Sequence, residues 1–370
     1  MMFFKYKYID LILILVFLIF FSHICYGKTI KTKFDIRKGV NIGNWLEDRN
    51  ISEEQLPYLF TLKDVDKLSS YGFDHVRLPI SEMVITNQDG SIKGNIVRLI
   101  HRTIKQCKKN KIKVILDLHR VKANFYKENE ESALINKGSL AIETIWQILM
   151  KEFEKYPENL LAYEILNEPV TPNDDQWNKI AGSIMKSIRE RNQKRVIILG
   201  SNRLNDVGRI ANLSIPLDDP NIILSFHYYE PFLLTHYGAS WTGLRNLKYS
   251  TKLNYPGILI NDSCYNNLDE NDKQIIAPYR TKYDKSYIRK NWMTAIEFAR
   301  FNSLRLYLGE FGCLPNCGER ARLSWIKDVV SLCKEYNIAY SLWEYNSGFG
   351  FVNRKTGEIV NQQLLDIVVK

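Results

Sequence analysis

Apolar residues in this chain come in short unbroken runs separated by longer amphipathic stretches. The runs occupy Gly39–Gly43, His75–Pro79, Ile112–Leu118, Leu161–Leu166, Arg195–Gly200, Asn221–Phe226, Leu304–Gly309 and Ile338–Trp343. Each has the length and residue types of a strand buried on both faces. Between most of them apolar residues recur with helical spacing, over Asn95–Lys109, Leu140–Lys155, Trp177–Asn192, Lys285–Asn302 and Arg320–Tyr336, and a last helix is expected at Asn361–Lys370. Strands alternating with helices predict a parallel α/β sheet, and eight is the number that closes a (β/α)8 TIM barrel. A doubly wound open sheet is the alternative, but the phosphate-cradling glycine pattern it often carries is absent after the early strands.

The longest irregular segment runs from about Tyr229 to Asp284 and is rich in Tyr, Asn, Leu and Trp. A structureless loop of that length is unusual in a compact domain, so it is expected to hold short elements and to cover one side of the barrel mouth. No linker or low-complexity stretch interrupts the rest. Residues 28–370 therefore read as a single domain.

Residues 1–27 read differently. Lys5 and Lys7 precede an apolar stretch from Leu11 to Phe21, and Cys25-Tyr26-Gly27 offers small residues for cleavage. This is the build of a secretory signal peptide, too short in its apolar run to span a bilayer comfortably. An uncleaved anchor is the competing reading. Cleavage predicts a secreted protein, extracellular or periplasmic, without stable membrane insertion. It removes Lys5, Lys7 and Asp10, lowering the formal charge from +10 to +9. The remaining lysines and arginines are scattered rather than gathered in a stripe, which argues against a nucleic acid partner. Five of the six cysteines remain, an odd number, so at least one is expected to be unpaired within the chain. Cys313 and Cys317 are close enough in sequence to bridge a loop. No spacing of Cys with His reads as a metal site.

Two of the predicted strands lead into glutamates. Leu160–Leu166 is followed by Asn167-Glu168-Pro169, and Leu304–Gly309 by Glu310-Phe311-Gly312. An ionised carboxylate beside a buried strand is costly unless it is paired, hydrogen-bonded or used. In a barrel, the C-terminal ends of the strands gather at one face, where catalytic groups sit. Read in order, those ends supply Asn44 and Glu47, Arg77, His119, Asn167 with Glu168, His227 with Tyr229, Glu310 and Trp343. Stability alone does not call for so many polar groups there, although Arg77 could salt-bridge within the barrel, His119 could be a core histidine and Trp343 could be packing.

Together these residues fit the cleavage of an acetal. That reaction needs one carboxylic acid to protonate the leaving oxygen and one carboxylate to attack carbon or to activate water. Glu168 suits the acid, with Asn167 beside it to hold a substrate hydroxyl. Glu310 suits the nucleophile, with Arg77 and Tyr229 placed to donate to it. His119 and His227 would supply further donors or proton paths, and Trp343 a flat apolar face for a sugar ring. Trp45 and Trp241 could extend that face, although Trp45 fits a core position equally. The scheme needs no metal and no cofactor.

From about residue 36 onward the chain resembles glycoside hydrolase family 5, a clan of retaining (β/α)8 barrels. The resemblance is carried by Lys38-Gly39-Val40-Asn41-Ile42-Gly43-Asn44-Trp45-Leu46-Glu47, Gly72-Phe73-Asp74-His75-Val76-Arg77-Leu78-Pro79 and Leu166-Asn167-Glu168-Pro169, and further on by Ser225-Phe226-His227-Tyr228-Tyr229-Glu230-Pro231-Phe232, Tyr307-Leu308-Gly309-Glu310-Phe311-Gly312 and Ser341-Leu342-Trp343-Glu344. It implies that Glu168 is the acid/base and Glu310 the nucleophile of a double displacement, with Arg77, His119, Asn167, His227, Tyr229 and Trp343 lining the cleavage point. The stretch from His227 to Trp241 is similar to the bacterial endoglucanase branch, which implies sugar contacts from Asn44, Glu47, His236 and Trp241. Where that branch often has two consecutive histidines after the third strand, this chain has His119-Arg120. The function implied is an endo-β-1,4-glucanase acting on a β-linked polysaccharide or oligosaccharide, as a monomer. A β-mannanase, a β-1,3- or mixed-linkage glucanase, and a non-catalytic carbohydrate-binding protein are the alternatives.

Overall fold

The computed structural model describes residues 33–122, 132–216, 219–249 and 251–370. The expected leader, with Cys25, lies outside these residues. Eight parallel strands close a barrel: β1 (Lys38–Asn41), β2 (His75–Ser81), β3 (Lys113–Arg120), β4 (Leu161–Glu164), β5 (Ile197–Gly200), β6 (Ile222–His227), β7 (Arg305–Phe311) and β8 (Ala339–Leu342). Each pairs with the next in sequence, and β8 pairs with β1 through Lys38↔Tyr340 and Gly39↔Ser341. Closure leaves no sheet edge, which excludes the doubly wound alternative.

Strand alternation explains why the runs looked uniformly apolar. Ile115 of β3 turns inward to pack with Ala162, Ile198, Ile223, Tyr307 and Ala339, with Phe34 and Ile36 beneath them. Its neighbours Val114, Leu116 and Leu118 turn outward and join the larger cluster under the helices. Both faces are covered, so both sets are apolar, and the strand shows little of the two-residue period. The upper inward positions are polar instead: Asn41, Arg77, Asp117 and Glu164 are all fully buried.

The helices of the outer ring are α1 (Leu62–Tyr71), α2 (Gly94–Lys109), α3 (Ser132–Phe153), α4 (Asp174–Arg191), α5 (Lys285–Phe301), α6 (Glu319–Glu335) and α7 (Gln362–Val369). In α4, Asn173 caps the first turn by accepting from Gln176 N at 3.0 Å, Asp174 and Asp175 follow it, and Arg189 and Arg191 close the last turn. That charge order complements the helix dipole. Trp177, Ile180, Ala181, Ile184, Met185 and Ile188 form its buried face. Helix α1 is the one long segment the apolar spacing did not announce. Its signal was local: Thr61 and Asp64 form a reciprocal capping box, and Gly72, at φ 95°, ends it in the left-handed region. Between β5 and β6 the described residues hold a short turn at Asn202–Asn205 and a 3-10 turn, Val207–Asn212.

The segment from Tyr229 to Asp284 does contain short elements. They include helices Phe232–Thr235, Asp262–Asn266 and Glu270–Ile276, and an antiparallel pair joining Gly257–Ile258 to Lys282–Tyr283. Cys313 and Cys317 do not form a disulfide. Their thiols lie 3.5 Å apart, and the five cysteines of the described residues are all free. Among the described residues no helix is long and apolar enough to cross a membrane.

Candidate active site

At the C-terminal mouth of the barrel lies a cleft of about 990 Å³. The residues that shape its floor arrive there by three separate devices. Simple alternation points Arg77 of β2 and Glu164 of β4 toward the barrel axis. A bulge delivers Glu310: the pairing of β6 with β7 shifts from Phe226↔Leu308 to His227↔Glu310, so Gly309 is an extra residue on β7. Tyr307 points inward and Leu308 outward. Strict alternation would therefore send Gly309 in and Glu310 out, and the bulge reverses this. Glu168 comes from the loop after β4, where Asn167 N extends the sheet by donating to Leu118 O at 3.0 Å.

Arg77 is the hub. It is fully buried, and its Nη1 donates to Glu310 Oε1 at 2.7 Å and to Asn41 Oδ1 at 2.9 Å. Nε and Nη2 grip Glu164 at 2.6 and 3.0 Å, and Nη2 also reaches Asn167 Oδ1 at 2.7 Å and Asp117 Oδ2 at 3.0 Å. Burial by itself would lower the guanidinium, but Asp117, Glu164 and Glu310 outweigh it and hold the cation well above its ordinary range. One cation faces three carboxyls, so they cannot all ionise cheaply. Burial, only partly offset by Arg77, pushes Asp117 up to about 7 and raises Glu164 as well.

Glu310 accepts a second hydrogen bond from Tyr229 OH at 3.1 Å, and its side chain is only 6% exposed. Two donors aimed at one carboxylate suit an anionic nucleophile. Glu168 has a different setting. Its side chain is 25% exposed, and its partner is His227, whose Nδ1 lies 2.8 Å from Oε1. Burial raises the Glu168 carboxyl above its usual range, against the lowering influence of His119, Arg77 and Arg120. A carboxyl that keeps its proton longer suits an acid. Burial also pushes His227 down to about 4 and His119 to about 3, so both rings are neutral at ordinary pH. His119 Nδ1 is 2.7 Å from Asp117 Oδ2, and its ring stacks on Trp343 at 5.6 Å with 11° between the planes.

An oxygen of Glu168 and an oxygen of Glu310 lie within 4.8 Å of each other, with His227 between them. An oxygen contact this close accords with the short carboxyl spacing, roughly 5–5.5 Å, of pairs that work by double displacement.

The other residues singled out in the sequence divide into those with free surface and those already engaged. Asn44, Glu47, His119, Asn167, His227, Tyr229, His236, Trp241 and Trp343 line the cleft together with the two glutamates. Arg77 does not line it. The guanidinium lies below the floor, because every one of its donors is turned to a protein acceptor. Glu47 accepts from the backbone N–H groups of Asn44 and Trp45, and burial pushes it up to about 7. Asn44 donates to Glu344 Oε2 at 2.6 Å and to Ser347 Oγ at 2.8 Å. These side chains brace the rim as much as they present it. His236 stacks on Phe232 at 4.0 Å, forming wall, whereas Trp241 is 64% exposed, open as a platform. Trp45 belongs to the core: it is fully buried and donates from Nε1 to Leu56 O at 2.8 Å.

The sequence reading missed Asp117, Glu164, Glu344 and Asn205. A signal existed for the first two, since each is a carboxylate inside an otherwise apolar strand. Leu204, 49% exposed on the cleft wall, sits in a left-handed turn that no residue type announces.

A sequence model of the cellulases of glycosyl hydrolase family 5 matches residues 52–348. The chain belongs to that family. Endoglucanase C of Acetivibrio thermocellus is 30% identical over 346 residues, spanning 90% of this chain and 98% of the relative. Cellodextrinase A of Ruminococcus flavefaciens is 28% identical over 315 residues, 82% of this chain and 84% of its own. Among solved structures, an endoglucanase at 27% identity superposes with a TM-score of 0.72, covering 90% of this chain and 97% of that one. Family 5 membership makes the protein a glycoside hydrolase acting on O-glycosyl bonds, and the paired glutamates are where that chemistry fits.

Proposed function

We propose that the protein is a retaining endo-β-1,4-glucanase that cleaves β-linked glucan by double displacement. The observation that carries this reading is the pair of carboxylates within 4.8 Å on the cleft floor, one held by a permanent cation and the other by a neutral imidazole. Glu310 attacks the anomeric carbon as Glu168 gives its proton to the leaving oxygen. The bond to Glu310 forms as the glycosidic bond breaks. Glu168, now a carboxylate, takes a proton from water, whose oxygen displaces Glu310 with a second inversion. Asn167, fixed by Arg77, stands ready for a hydroxyl beside the reacting carbon.

Attack within a chain, rather than at its end, is supported by the shape of the site. Among the described residues none between Thr242 and Asp284 lines the cleft, so the long segment does not wall it off beyond Trp241. The similarity to an endoglucanase over nearly all of both chains supports a glucan over a mannan. The apolar leader supports export, and a monomer is the state we propose for the mature domain, residues 28–370.

The test is a panel of carboxymethylcellulose, mannan, lichenan, laminarin and xyloglucan offered to the purified mature protein. Carboxymethylcellulose should lose viscosity much faster than it gains reducing ends, and NMR of the first products should show the β-anomer. Preference for mannan, or release of the α-anomer, would overturn the reading.

A further inference from the structure

We propose that Asn205 is a positioning residue for the acid: it fixes the tautomer of His227 and thereby decides which oxygen of Glu168 carries the catalytic proton. The inference rests on the reading of Glu168 as the acid.

The geometry is a relay of three side chains. Asn205 Nδ2 faces His227 Nε2 at 3.2 Å, and His227 Nδ1 faces Glu168 Oε1 at 2.8 Å. An amide nitrogen has only protons to give, so Nε2 must be the lone-pair side of the ring. A neutral imidazole then holds its proton on Nδ1 and donates it to Glu168 Oε1. The acid proton is excluded from Oε1 and must sit on the other oxygen, Oε2, free for a leaving group. The opposite tautomer would draw that proton into a bond with the ring. Other titratable groups face the ring too: Glu310 Oε2 is 3.6 Å from Nδ1, and Arg77, Glu164 and His119 surround it at longer range. A proton on Nδ1 also leaves no lone pair toward the cleft, although Glu168, His227 and Glu310 are spaced closely enough to suggest a cation site.

The fold goes to unusual lengths to place this amide. Arg203, Leu204 and Asn205 are three consecutive non-glycine residues in the left-handed region, at φ 59°, 66° and 55°. Such backbone persists only where its surroundings over-determine it, and it clusters at functional sites. Here Leu204 N is tied to Pro169 O at 3.2 Å, Ser201 Oγ to Asp206 O at 2.7 Å, and Asp206 bridges to His227 in parallel. Two glycines clear the space. A Cβ on Gly200 would stand 2.5 Å from Asn205 Cγ, and one on Gly309 would stand 3.1 Å from His227 Nε2. Asn205 Oδ1 is buried without a hydrogen-bond partner. Reversing the amide would leave N–H donors in that place, and orphaned buried donors are rarer than orphaned carbonyls.

The first measurement is the tautomer itself, by ¹⁵N NMR of the histidine-labelled protein near neutral pH. Protonated Nδ1 and bare Nε2 on His227 are expected. Protonated Nε2, or a doubly protonated ring, overturns the inference even if no variant folds. The second uses Asn205→Asp, which keeps the shape but offers only acceptors. It should move the proton to Nε2 and lower kcat/KM on cello-oligosaccharides by about 10²-fold, while a dinitrophenyl cellobioside, which needs no acid, loses less than about 3-fold. Equal loss on both substrates with an unchanged Tm overturns the inference. Glu168→Ala on the same two substrates separates the layers. If it shows no dependence on the leaving group, the acid assignment fails and takes Asn205 with it. If it does and Asn205→Asp does not, only the role of Asn205 fails.

Discussion

Glu310 and Glu168 are the same side chain put to opposite uses, and their surroundings differ at every level. Glu310 stands on a strand, turned inward by a bulge, and is gripped by a guanidinium that cannot lose its charge. Glu168 stands on a loop beyond its strand and leans on an imidazole that burial keeps neutral. A permanent cation favours the carboxylate that attacks and is later released, whereas a neutral donor leaves its carboxyl able to cycle between acid and base. The division of labour lies in the partners, not in the glutamates.

The sharpest way to break this comparison is Glu310→Gln, which removes the nucleophile but keeps the volume and, through its one remaining oxygen, the bond from Arg77. Turnover of every glycoside should fall by at least about 10⁴-fold, with Tm nearly unchanged. Near-normal hydrolysis would end the assignment. Glu168→Ala comes next. Polysaccharide hydrolysis should drop by about 10²–10⁴-fold, and added azide should restore turnover of aryl glycosides by attacking the glycosyl-enzyme. Failure of azide to yield a glycosyl azide would count against the assignment.

Arg77→Met tests the cation itself. It strands buried carboxyls without their partner, so a loss of about 3–5 kcal/mol in denaturant unfolding is expected, along with most activity. A variant as stable as the parent would show that the cluster is not held by that charge.

The pH dependence of stability follows from two carboxyls that burial raises, Asp117 beside Arg77 and Glu47 on the rim. Asp117, ordinarily near 3.8, and Glu47, ordinarily near 4.5, both rise to about 7 in the folded chain. Each binds its proton more tightly folded than unfolded. Their contribution to stability is therefore complete below their unfolded pKa values and is lost as pH rises through about 7. Asp117→Asn should flatten the decline in Tm across that window, as read by calorimetry at several pH values. An unaltered slope would mean that Asp117 is ionised throughout. The smallest effect belongs to the rim: Trp241→Ala should raise KM on long glucans about 10-fold, some 1.4 kcal/mol, without touching kcat or Tm. A fall in kcat instead would place Trp241 at the reacting sugar.

Much of this molecule was legible in advance because buried parallel strands and their helices leave strong local patterns. The observed barrel strands end within two residues of the apolar runs that announced them. The glutamates, Asn167, Tyr229 and the histidines were found because polar residues at the ends of apolar strands stand out. Inside the strands that signal fades. Asp117 and Glu164 were passed over because they lie within their strands rather than past the ends, and uniformly apolar runs do not show which positions turn inward. Helix α1 was missed for a related reason: its announcement is a cap rather than a period.

The chain by itself determined the order of elements, the barrel they close, and the residue types that reach its mouth, because these follow from local propensity and hydrophobic spacing. Only the tertiary structure decided their orientation and charge. Gly309 becomes a bulge only against its neighbours on β6 and β8, and that bulge turns Glu310 inward. Arg77 becomes the hub beneath the floor only when four other strands bring it carboxyls and amides. Trp45 and Trp241 are the same residue type, yet one is core and the other a platform, since burial depends on what the rest of the chain lays over a position. Asn205 reaches His227 through a backbone turn that no pattern of side chains encodes.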